Sequence, residues 1–247
     1  VSVSRVADGV YCLGQRVVGH VRAFLLEDDD GSLTAIDTLR DPKARPFHEA
    51  LEQMGKAITD IQHIVLSHAH PAHLGGLAHL KAQSGATVYS HAWETDIIAG
   101  ERIAQPITPI PMRPIRNYFR VYPYQLAGAL GVGRHAPCPV EKTLEDGDRV
   151  GPLQVLYSPG HSPGHLAFHW EARRFLCAGD AITTYPRLDS GWPALTLNHR
   201  QHRDSLRRLA DLAAVDVVGV GHGDPITKDA RAAVRQMADR AAGAVRG

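Results

Sequence analysis

The chain has 247 residues, 44% of them hydrophobic, and a formal net charge of +1. That length supports a sizeable core, in one large domain or two small ones. The near-zero charge points to neither a nucleic-acid nor a membrane partner, and no apolar run is long enough to span a bilayer. The cysteines, Cys12, Cys138 and Cys177, are odd in number and widely spaced. That argues against a disulfide framework and for a reducing, cytoplasmic setting. A secreted form with its signal removed stays open. Fifteen histidines are an unusual load and mark where chemistry should be sought.

Residues 1–14 alternate like a strand and lack the basic-then-apolar layout of a secretory signal. Residues 10–13 and 21–27 read as strands, 28–31 as a turn, and 33–36 as a strand ending at Asp37. Pro42 opens a helical stretch to about Gly55, with Phe47, Ala50, Leu51 and Met54 at helical spacing. A strand is expected over 61–66, a helix over 74–83, a short strand over 87–90 and a short helix over 91–99. Residues 100–138 break the pattern, being rich in Pro, Gly, Arg and Tyr without periodicity. A long irregular segment of this kind is usually functional, and it reads as a lid or insertion within a single domain over 1–247. Strands return at 153–157, 166–170 and 174–177. A helix over 200–212, a strand over 215–220 and a terminal helix over 228–242 complete the chain. Strand and helix alternate with short connections, which predicts an α/β fold with sheets covered by helices.

The densest signal is His68-Ala69-His70-Pro71-Ala72-His73, directly after the strand at 61–66. Neutral imidazole is the commonest protein ligand for zinc and similar metals, and a turn at a strand end can aim several rings at one point. Further signals lie at other strand ends. Ser158-Pro159-Gly160-His161-Ser162-Pro163-Gly164-His165 follows one strand, Ala178-Gly179-Asp180 another, and Gly221-His222-Gly223 a third. Glycine beside such a residue lets the backbone turn sharply. Taken singly, Asp37 and Asp180 read as turn residues and His222 as a surface histidine. Taken together, and in this order, they form a specific pattern.

That pattern resembles the metallo-β-lactamase fold superfamily: an early strand-end Asp, then His-x-His-x-Asp-His, a Gly-His, a Gly-Asp and a late His. The resemblance covers nearly the whole chain. It implies an αββα four-layer sandwich, two mixed sheets flanked by helices, with a two-metal site at one sheet edge. His68, His70 and His161 would form the first metal site, His73 and His222 the second, and Asp180 would bridge them. Asp37 would orient ligands through hydrogen bonds, and His165 would stand behind His161. The implied cofactor is zinc, one or two ions, with iron or manganese as alternatives. The departure is Ala72, which stands where the family has an Asp that binds the second metal beside the attacking hydroxide. An introduced substitution and a natural one-metal variant both remain open, and the intact remainder of the motif favours the first.

The resemblance implies a hydrolase in which a metal-bound hydroxide attacks a lactone, ester, thioester or β-lactam carbonyl. Asp180, His222 and position 72 would stand at the chemistry, with turnover impaired by the alanine. The substrate would be a small molecule, and a homodimer stays open. Arg113, Arg116, Tyr118 and Tyr122 in the irregular segment, and Tyr185 and Trp192 after Asp180, are candidate substrate contacts. A glutathione-thioester hydrolase normally adds a helical C-terminal region, so that branch is disfavoured. Two other classes stay open. One is a sulfur dioxygenase-like oxidoreductase with a single non-haem iron on His68, His161 and Asp180. The other is a catalytically dead binding protein. His20, His48, His63, His79, His91, His135, His199 and His202 carry no motif, and His169 reads as structural.

Overall fold

The structure is a computed structural model that describes residues 2–16, 20–104 and 135–243. Its seven-stranded sheet runs in chain order: β1 (Ser2–Ala7), β2 (Val10–Gln15), β3 (Val21–Glu27), β4 (Leu33–Ile36), β5 (Ile61–Val65), β6 (Thr87–Ser90) and β7 (Lys142–Thr143). β1 to β4 pair antiparallel, and β4 to β7 pair parallel. The five-stranded sheet comprises β8 (Arg149–Val150), β9 (Leu153–Tyr157), β10 (Leu166–Trp170), β11 (Phe175–Cys177) and β12 (Val217–Gly219), in spatial order β12-β11-β10-β9-β8. Only β11 and β12 pair parallel in it.

Alternation along the strands sorts side chains into three cores. Phe24 and Leu26 of β3 turn inward and meet Phe168 and Phe175 between the sheets. Val21, Ala23 and Leu25 turn outward onto α1 (Arg45–Met54) and α3 (Leu77–Ser84) through Phe47, Leu51 and Leu80. On the other side, Leu156, Ala167 and Leu176 pack against Leu206 and Leu209 of α5 (His199–Ala210) and Val234 and Met237 of α6 (Ala230–Gly243). The shorter α2 (Pro71–Leu74) and α4 (Thr95–Ile98) complete the described helices. A strand buried on both faces carries a nearly unbroken apolar run, as β3 does apart from Arg22. The product is the four-layer αββα arrangement. No described helix is long and apolar enough to cross a membrane.

The first three expected helices depart from expectation, each for a local reason. α1 begins at Arg45 rather than Pro42 because Ala44 is left-handed (φ 47°) and the Asp41 carboxylate accepts from the Lys43 and Arg45 amides. The helix expected over 74–83 is two pieces, since the Gly75 N–H donates to the Leu39 carbonyl at 2.7 Å instead of continuing α2. Residues 92–94 form a 3₁₀ turn ahead of α4, where His91 Nδ1 accepts from the Trp93 amide. Of the irregular segment 100–138, residues 105–134 lie outside the described residues.

Backbone hydrogen bonds tie the sheets together at one edge. Leu166 N–H donates to the Ser67 carbonyl and Arg22 N–H to the Gly221 carbonyl, both at 2.8 Å. Every strand-end turn singled out in the sequence opens onto this edge.

Candidate metal centre

His68 and His70 leave β5, His73 lies on α2, His161 leaves β9, Asp180 sits just after β11 and His222 just after β12. Their ligating atoms form two adjacent groups. His68, His70, His161 and Asp180 make one; His73, Asp180 and His222 make the other. In the three-histidine group, His70 Nδ1 lies 2.9 Å from His68 Nε2 and 3.1 Å from His161 Nε2. Asp180 Oδ2 is 3.5 Å from His161 Nε2 and 3.4 Å from His222 Nε2, while Oδ1 is 3.4 Å from His73 Nε2. The carboxylate thus faces both groups. Gly221 permits this closeness, because a β-carbon there would sit 2.0 Å from Asp180 Oδ1.

The surrounding hydrogen bonds set which nitrogen carries the proton in His68 and in His165. Asp37 accepts from the amide and the hydroxyl of Ser67, both at 2.8 Å. The Ser67 hydroxyl proton is therefore committed, and its oxygen accepts from His68 Nδ1 at 2.9 Å, leaving His68 Nε2 with its lone pair facing the group. The other Asp37 contact is His73 Nδ1, 3.1 Å from Oδ2. Behind Asp180, His165 Nε2 accepts from the Asp180 amide at 3.1 Å, so its proton is on Nδ1, beside Ser158 Oγ.

Burial drives the His68 and His161 pKa values well below the usual imidazole value, against the pull of Asp180. His70 and His165 fall to about 4, again chiefly through burial. His73 behaves oppositely. Burial is the largest single influence and would lower it, but Asp180 and Asp37 together outweigh burial and push it up to about 10. Burial would also raise Asp180; His222 and His73 overcome this and hold it well below the carboxylate range.

These donors fit a divalent metal on grounds internal to the structure. Three imidazole nitrogens, from buried His68 and His161 and half-buried His70, point at one another, and a tetrahedral ion takes three such ligands plus one open position. His73 Nε2 and Asp180 Oδ1 are buried and face each other without a hydrogen-bond partner. A buried polar atom of this kind is costly unless something else satisfies it.

Residues 16–222 match the sequence pattern of the metallo-beta-lactamase superfamily. The chain belongs to that superfamily. Among curated relatives, the uncharacterized protein YobT of Bacillus subtilis is 28% identical over 82% of this chain and 83% of its own length. A hydroxyacylglutathione hydrolase of Cereibacter sphaeroides is also 28% identical over 81% of the chain, which spans only 61% of that enzyme. Among solved structures, the metallo-beta-lactamase family protein TTHA1429 of Thermus thermophilus superposes with a TM-score of 0.68 at 27% identity. That match covers 98% of this chain and 81% of the other.

The remaining candidates divide. Ala72 is buried between His70 and His73 and joins the outer apolar core. Trp192 stands beside the second candidate ligand group, its ring centroid 4.5 Å from that of His222. Its Nε1–H donates to the Tyr185 carbonyl at 2.9 Å. Tyr185 stacks at 4.3 Å on His20, a residue without any sequence motif. His169 donates to the Ala214 carbonyl, away from the centre. Arg113, Arg116, Tyr118 and Tyr122 lie outside the described residues. Sequence reasoning missed His20, Ser67, Glu94 and His202.

Proposed function

We propose that this chain is a metal-dependent hydrolase of a small ester, lactone, thioester or β-lactam. The observation that carries the reading is the meeting of His68, His70, His161, His73 and His222 around one buried carboxylate, Asp180. His68, His70 and His161 would hold the first ion, zinc by the chemistry of the donor set, and His73 and His222 a second, with Asp180 between them. When bound, a divalent ion acts as a Lewis acid and lowers the pKa of its water from ~15.7 to about 7. The protein's own contribution is placement. Ser67 and Asp37 keep the His68 proton on Nδ1, and Trp192, Tyr185 and His20 offer an aromatic wall beside His222 for an apolar part of the substrate. At position 72 the methyl group can neither coordinate an ion nor hold a proton for a leaving group, so turnover should be low.

The small-molecule partner follows from the same reading, and the 28% identity to a hydroxyacylglutathione hydrolase makes a thioester a sensible member of the test panel. Metal content should be measured by mass spectrometry, beside rates on aryl ester, lactone, thioester and β-lactam substrates, for this chain and its Ala72→Asp variant. About one tightly held zinc, slow turnover of at least one carbonyl substrate and a faster variant are expected. Oxygen uptake with a persulfide by an iron-loaded protein, or no turnover by either chain, would overturn the hydrolase reading.

A further inference from the structure

Glu94 belongs to neither ligand group, yet its buried carboxylate touches the turns that carry both halves of one. It ends the 3₁₀ turn after β6 and is 1% exposed. Its Oε2 accepts from the Ala69 amide at 3.1 Å; Ala69 lies between His68 and His70. Its Oε1 accepts from Ser162 Oγ at 2.5 Å and from the Gly164 amide at 3.2 Å, in the turn that carries His161. The 68–70 turn leaves the seven-stranded sheet and the 161–165 turn the five-stranded one. One carboxylate therefore spans the seam between the sheets at the three-histidine group.

Gly164 shows that the chain is built around this contact. A β-carbon there would lie 2.7 Å from Glu94 Cγ and 2.8 Å from Oε1. The Glu94 backbone is anchored in turn, since Arg102 lies 4.1 Å over the Trp93 ring and donates to the Trp93 carbonyl and the Asp96 carboxylate. An ionised carboxylate is acceptor-only and matches three donors. Metal-ligand geometry tolerates errors of only about 0.5 Å, so a strut fixing His161 relative to His68 and His70 acts directly on the ion's fit.

We propose that Glu94 is a positioning residue for the first metal: by joining the Ala69 amide to Ser162 and Gly164, it sets the separation of His161 from His68 and His70. This rests on the metal-hydrolase reading and extends it to a residue that touches no ligand atom. Glutamine at 94 has one acceptor oxygen, and its amide NH₂ would face a donor. At least one buried N–H or O–H would be left unpaired.

The test uses Co²⁺ as probe in the full chain. Its affinity is measured by competition with a chromophoric chelator, and its visible absorption spectrum is recorded for the parent, Glu94→Gln and Ser162→Ala. Glu94→Gln should weaken the tighter Co²⁺ equivalent by about 10- to 100-fold, the range for residues that orient ligands. It should also alter the ligand-field bands, while Ser162→Ala, which deletes one of three contacts, should give a smaller change of the same kind. kcat should fall with KM nearly constant. A spectrum and affinity within twofold of the parent in either folded variant would overturn the proposal. Should Glu94→Gln not fold, Ser162→Ala decides alone. A parent that takes up no Co²⁺ would end this proposal and the metal reading together, whereas a Co²⁺-binding parent without hydrolysis would end only the hydrolase reading.

Discussion

The two ligand groups share Asp180 and little else. In the three-histidine group burial keeps the imidazoles neutral, and donors arrive from both sheets. In the His73 group, the paired negative charges of Asp180 and Asp37 favour a positive charge at His73. The first group is thus a ready set of lone pairs, while the second is an anionic pocket that asks for a cation but lacks a carboxylate at position 72. The contrast shows that geometry and charge can be separated in one centre. With alanine at position 72 the six side chains still converge, so on the proposed reading that residue should affect mainly how firmly the second ion is held.

Asp180→Asn tests the shared element and should have the largest effect. Both ions lose their common anion, so metal content after dialysis should fall at both groups, and kcat/KM should drop by at least ~10³-fold, about 4 kcal/mol at 1.36 kcal/mol per decade. Retention of one equivalent at near-parental rate would show that Asp180 does not serve both groups. Ala72→Asp sharpens the contrast from the other side. It should add a second equivalent and raise kcat/KM by about 10- to 100-fold, the scale of effects around a metal site. Because a carboxylate at this buried position needs a cation, the melting temperature of the variant should depend more steeply on added zinc than that of the parent. An equal dependence would mean that position 72 does not face the second ion.

Asp37→Asn asks whether the groups can be uncoupled. Asp37 reaches the three-histidine group only through Ser67 and His68, whereas it lies directly beside His73. Made in the Ala72→Asp background, the substitution should weaken the second zinc by about 10-fold or more and the first by less. The reverse order, read by titration of the metal-free protein, would break the comparison.

How much of this was legible in the chain depends on how far apart the partners lie in sequence. The candidate ligands were conspicuous because their turns each follow an apolar run, and three of them share six residues. The β3 and β10 cores were legible for a related reason, since buried strands spell continuous hydrophobic stretches. Glu94 was silent: its partners Ser162 and Gly164 are 68 and 70 residues away, and a lone Glu after a short strand looks like a surface residue. His20 gave no signal either, because its role depends on Tyr185 arriving from the far end of the chain. The start of α1 was misplaced because a left-handed alanine has no sequence signature, unlike the glycine at the other end of the same helix.

The smallest effect concerns a histidine that supports the three-histidine side without joining it. His202 is 2% exposed, near the start of α5, and its Nε2–H donates to the Ser190 carbonyl at 3.0 Å. The same helix start holds the His161 turn, since Asn198 N–H donates to the Gly160 carbonyl at 2.9 Å. Burial, the largest influence, lowers the His202 pKa from 6.5 to about 4. The unfolded chain takes up this proton near pH 6.5 and the folded one only near pH 4, so stability falls as the pH drops through that window and levels off below it. Between pH 7.5 and pH 5 the cost is about 2 kcal/mol, at about 1.36 kcal/mol for each tenfold rise in proton concentration below the unfolded chain's pKa. His202→Gln removes the titrating group. Denaturant unfolding of parent and variant under one metal condition should therefore show a stability gap that shrinks by about that amount on acidification. A gap independent of pH would mean that His202 takes up its proton in the folded protein as readily as in the unfolded one. Acid sensitivity would then belong to the ligand groups themselves, and the neutral character assigned to the three-histidine side would not extend to the residues behind it.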